Sequence, residues 1–202
     1  MFATSHLVLT AMIMFTTTIG PTGFGSDSGD APERSESAIV LIDADPRWSE
    51  TISWAHSRFS ASGLTPPSAG IHVHSGTDQM ECHGHAGYFS VGSAGPRVDL
   101  CVPFLESALG TELRRKLVLH ELAHAWDHEN LDEATRQAFM DQRGMEGWNR
   151  QADDHNVRGI EHAANTIAYI LMPDSLPDNV QSCGFTTLTG LPLPQNRIER
   201  CS

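Results

Sequence analysis

The chain reads as an α+β protein in which a small antiparallel sheet leads into a histidine-bearing helix and a following helical subdomain. Three observations predict this. Between Gly70 and Pro103, short runs alternating apolar and polar residues are separated by glycine-rich breaks, the texture of half-buried strands and a hairpin. From Thr111 onward apolar residues recur at three- and four-residue spacing, punctuated by Asp132, Gly144 and Pro173. No sequence repeat is visible and the 202 residues suit one domain with small appendages.

Taken in order, Leu7 to Phe15 is an apolar run broken only by Thr10, too short for a comfortable membrane span. Residues 1–25 are expected to be a secretory signal peptide, cut between Gly20 and Ser26, although no Lys or Arg precedes the run. No stable membrane insertion is expected from any later segment. Residues 26–37, rich in Ser, Gly, Pro and charge, read as a flexible linker before a domain over 38–172. Ala38 to Ile42 is a short apolar run, either a strand or the lead into the first helix. Trp48, Ile52, Ala55 and Phe59 recur at helical spacing, predicting a helix over 46–60 with Pro46 in its first turn.

Ile71-His72-Val73-His74, Gly87 to Val91 and Arg97 to Val102 are the predicted strands, the last two joined as a hairpin through Gly92 to Pro96. Helices are then predicted from Thr111 to about His128, capped by Gly110 or Thr111, and from Asp132 to Gly144. A third is predicted from Asp153 or Asp154 to Met172. The tail, 173–202, rich in Pro, Gly and Thr, reads as irregular.

Net charge is −12 and Lys116 is the one lysine, so no basic surface exists to neutralise phosphates and nucleic-acid binding is excluded. Four cysteines allow three pairings, and proximity favours Cys82 with Cys101 and Cys183 with Cys201. Closing either loop is worth about 3 kcal/mol if unstrained. Disulfides agree with export to a secreted, extracytoplasmic location. The absence of Cys-x-x-Cys argues against a cysteine metal site.

Eleven histidines, most of them between His56 and His162, demand an explanation. His120 and His124 in His120-Glu121-Leu122-Ala123-His124 are four residues apart, so a helix points both imidazoles at one spot. Glu121 projects beside that spot. Zn²⁺ takes neutral imidazole nitrogen well, and a catalytic site keeps one position open for water, whose proton Glu121 can accept as general base. At 100° per residue His120, His124, His128 and Leu117 fall within about 80°, while Val118, Leu119, Leu122, Ala123 and Trp126 cover the opposite, core-facing side.

Val118 to Trp126 resembles the active-site helix of the zincin metallopeptidases. That resemblance implies a zincin-like fold and a zinc metallopeptidase acting on a peptide or protein substrate. The subgroup depends on the third ligand. Asp127 and Asn130 stand where metzincins require Gly and His, and the aspzincin Gly-Thr-x-x-Asp does not follow the motif. Gluzincins take a glutamate from a later helix, and Glu161 lies 37 positions after His124 in an amphipathic stretch. The resemblance therefore implies His120, His124 and Glu161 as metal ligands and Glu121 as the catalytic base. Asn165 occupies the place of a carboxylate that in thermolysin-type members buttresses a zinc histidine. His155 is the competing third ligand. The family's oxyanion donor is a Tyr or His, and here Tyr88, Tyr169, Arg158 and the remaining histidines stay open. The resemblance also implies that an extended substrate lies along the edge strand.

The remaining histidines have plainer readings. His128 continues the metal face near its mouth, and His162 sits about 100° round the helix from Glu161, too far to share the metal. His72, His74, His83 and His85 read as strand-surface histidines rather than a second metal site. Two other classes of function compete with peptide hydrolysis: a secreted binding protein stabilised by zinc, and an amidase acting on a non-protein amide.

Overall fold

The computed structural model describes residues 41–42, 46–74, 85–101, 110–149, 158–172, 183–194 and 197. The expected signal peptide and linker, together with Cys82, His83, His155 and Cys201, lie outside the described residues. The elements run β1 (Leu41–Ile42), α1 (Pro46–Ala61), β2 (Gly70–His74), β3 (Gly87–Gly92), β4 (Gly95–Cys101), α2 (Thr111–Asn130), α3 (Glu133–Arg143), α4 (Gly159–Leu171) and α5 (Phe185–Thr189). The architecture is α+β.

The sheet is mixed, not antiparallel as the alternation suggested. Its order is β1-β2-β4-β3, with β1 and β4 both parallel to β2 and only β3 antiparallel to β4. The hairpin forms as predicted, Gly92 pairing with Gly95, but β4 then inserts between β3 and β2 instead of continuing a meander. A two-residue period is the same whichever way a neighbour runs, so it carries strand identity and not direction. Ile71 and Val73 of β2 and Val98 and Leu100 of β4 are buried on the helix-facing side. Central β4 also buries Asp99 and Cys101 on its other face.

Trp48, Ile52, Ala55 and Phe59 of α1 are all buried, each large side chain contributing roughly 1.5–3 kcal/mol to the core. The back of α2, Val118, Leu119, Leu122, Ala123 and Trp126, joins the same cluster, as do Ala163, Ala164, Ile167, Ile170 and Leu171 of α4. The punctuation of α3 acts as expected: Asp132 accepts a hydrogen bond from the Thr135 amide at 2.8 Å, and Gly144 closes the helix at φ 64°.

Two boundaries differ from expectation. α4 begins at Gly159, because Arg158 is extended (φ −77°, ψ 137°); the expected start at Asp153 or Asp154 lies outside the described residues. The amides of Gly159 and Ile160 donate to the carbonyls of Gly147 (3.0 Å) and Trp148 (2.9 Å) instead of to a preceding turn. A Cβ at 159 would come within 2.9 Å of the Trp148 ring, so tertiary packing sets this start. The tail is not wholly irregular either: α5 buries Phe185 and Leu188 in the main core. Cys101 and Cys183 are disulfide-bonded, and their pairing lies outside the described residues.

Candidate metal centre

α2 presents His120, Glu121 and His124 on one side while its apolar back anchors it in the core. Glu161 stands in the first turn of α4, whose buried Ala163, Ala164 and Ile167 hold that helix in the same core as the α2 back. His120 Nε2 lies 3.1 Å from His124 Nε2, and Glu161 Oε2 lies 3.2 Å from the first and 3.4 Å from the second. Three donor atoms thus form a nearly equilateral triangle. A tetrahedral ion with bonds of 2.0–2.1 Å requires its ligand atoms about 3.3 Å apart, so the side chains fit such an ion without rearrangement. Among the described residues, these three form the one His/Cys/Asp/Glu group close enough to hold a metal ion.

The electrostatics separate the two buried glutamates. Burial alone would raise Glu161, but hydrogen bonds and charge from His120 and His124 overcome it and hold the carboxyl well below its usual range. Burial likewise works against His120, whose pKa is nevertheless raised by the Glu161 hydrogen bond and by the charges of Glu121 and Glu161. Glu121 moves the other way, to about 7, driven by burial and then by the Glu161 charge against the opposing pull of His120. Of the two buried carboxyls, one is thus held ionised and the other is pushed up to about 7.

A cleft of about 550 Å³ opens over the triangle. Its sheet wall is His85, Ala86 and Gly87, Tyr88, Phe89 of β3; its floor is Leu117, His120, Glu121 and His124; Asn149, Arg158, Ile160 and Glu161 face them. Phe89 stacks on His124 at 6.5 Å between ring centres and leans on His128 at 5.8 Å. Nothing in the sequence motif marks Gly87, Phe89, Asn149 or Ile160 as cleft residues. Strand alternation does place Gly87 and Phe89 on one face, but nothing local says that this face meets α2.

The other named residues separate cleanly. His162 Nδ1 accepts from Arg143 Nη2 at 2.8 Å and takes no part in the triangle. His128 is exposed. Asn165 is exposed as well. Tyr169 does not line the cleft, and Arg197 sits over its ring, whereas Tyr88, Arg158 and His85 do line it. His74 is tied to Asp99 across the sheet. The described residues include no helix long and apolar enough to cross a membrane.

No family model, curated protein or solved structure matches this chain.

Proposed function

We propose that the protein is a secreted zinc metallopeptidase of gluzincin type, with His120, His124 and Glu161 as zinc ligands and Glu121 as general base. The observation that carries this reading is the convergence of three ligand atoms within 3.4 Å of one another, with a buried glutamate of raised pKa beside them on an open cleft. Two imidazoles and one carboxylate suit zinc, and a three-ligand set leaves a coordination position for substrate chemistry. A purely structural zinc site is normally closed by four protein ligands, and a further glutamate left off the metal has no place in it.

Zinc held by His120, His124 and Glu161 would supply Lewis acidity and make a water a better nucleophile at neutral pH. Glu121 accepts the proton of the attacking water at its carboxylate and passes it to the departing amine nitrogen. Burial raises the Glu121 pKa, which makes it a stronger base than a surface carboxylate. The burial of Glu161 beside both histidines keeps the ligand set in place. β3, the terminal strand of the sheet among the described residues, lines the cleft, which supports an extended peptide seated as an added strand. The apolar leader and the disulfide-bonded Cys101 and Cys183 support a location outside the cytoplasm.

The test is metal analysis of the purified chain combined with hydrolysis of an unstructured protein. Glu121→Gln should keep the metal and lose activity by about 100- to 10,000-fold. Full activity in that variant removes the mechanism. Loss of metal together with activity shows that Glu121 is a ligand instead.

A further inference from the structure

Gly87 opens β3 and is in ordinary extended pairing with Leu100, with no positive φ that would call for glycine. Space, not backbone freedom, is what its hydrogen side chain supplies. A Cβ built there would lie 2.5 Å from Glu121 Oε1, 2.6 Å from its Cγ and 2.7 Å from its Cδ. The carboxylate of the base therefore occupies the volume that any other residue at 87 would fill. Glu121 is only 5% exposed but lines the cleft, so a Cβ at 87 would push the flexible end of its side chain away from β3 rather than leave it in place. Gly92, at the other end of the same strand, is the opposite case: a Cβ there meets nothing within 4 Å.

We infer that Gly87 is the positioning residue for the base: its missing side chain forms the seat that fixes where the Glu121 carboxylate stands relative to the ligand triangle. This rests on Glu121 acting as the base in the proposed function. The three atoms nearest to the missing Cβ all belong to Glu121 and none to His120, His124 or Glu161. Displacing a catalytic group by about 1 Å costs on the order of 100-fold in rate. Metal binding should be left intact.

The experiment compares Gly87→Ala and Gly92→Ala in full-length protein, each with metal content, kcat, KM and melting temperature. Gly87→Ala should lower kcat by about 100-fold, with KM and zinc content near the parent's, and Gly92→Ala should match the parent. Glu121→Asp withdraws the carboxylate by one methylene, so adding Gly87→Ala in that background should cost less than about 3-fold. Equal losses in both backgrounds, or a Gly87→Ala variant as active as the parent, overturn the inference. Should the parent hydrolyse nothing, the peptidase reading fails but the seat is still read from stability. Gly87→Ala then lowers the melting temperature by about 4 °C in the parent and leaves a Glu121→Ala protein unchanged. An equal drop in both would assign the glycine to strand packing and end the proposal.

Discussion

Two histidine pairs in this protein stand in different local structures and come to opposite ends. On β2, His72 and His74 are two residues apart, their rings stacked side by side with centres 6.4 Å apart. On α2, His120 and His124 are four apart, and their rings meet edge-on at 4.7 Å with the Nε2 atoms 3.1 Å apart. Strand neighbours on one face stand parallel and keep their ring tips separate, whereas helical i and i+4 side chains lean onto one patch. The partnering carboxylates differ in the same sense. Asp99 divides its oxygens, one to His74 at 2.6 Å and one to Arg97 at 2.8 Å. Glu161 offers the single atom Oε2 to both histidines of α2. One cluster is an ion-paired strut across the sheet; the other is a set of converging groups that could hold a metal ion.

The largest expected effect breaks the second cluster. Glu161→Ala should weaken zinc binding by more than the roughly 100-fold loss typical of outer partners, while His162→Ala and His128→Ala stay near the parent. Chelator competition at fixed pH measures it, because ligand protonation affects affinity. A Glu161→Ala chain that holds zinc like the parent would remove Glu161 from the ligand set.

Next is the stability of metal-stripped protein. Glu121 has a folded pKa raised to about 7 from 4.5, so its contribution to stability is full below about 4.5 and is lost as pH rises through about 7. Glu121→Gln escapes that loss. It should therefore gain on the parent between these values, by up to about 3 kcal/mol above pH 7 in denaturant melts. A pH-independent difference would contradict the raised pKa.

Smaller still, Asp99→Ala should cost about 2 kcal/mol of stability by removing the acceptor shared by Arg97 and His74, with zinc affinity unchanged. A drop in zinc affinity would mean that the two clusters are coupled. Least of all, His72→Ala should change stability by under about 0.5 kcal/mol, since no hydrogen bond or ion pair involving it is part of the strut. A larger loss would show that the stacked ring contributes to the sheet.

What local spacing could reveal was legible from the residues alone. The burial of Trp48, Ile52, Ala55 and Phe59, the caps Asp132 and Gly144, and the convergence of His120 with His124 all arise from periods and backbone preferences within a few residues. Glu161 was reachable only through a resemblance, because its meeting with α2 spans 37 positions of chain. Direction in the sheet, the start of α4 against Trp148 and the docking of α5 depended on contacts between segments remote in sequence. So did the buried setting that moves Glu121 and Glu161 apart in pKa, and the space left by Gly87. Helical and strand periods are local properties of the chain, but burial, close approach and the field at a carboxylate exist only once separate elements have packed together.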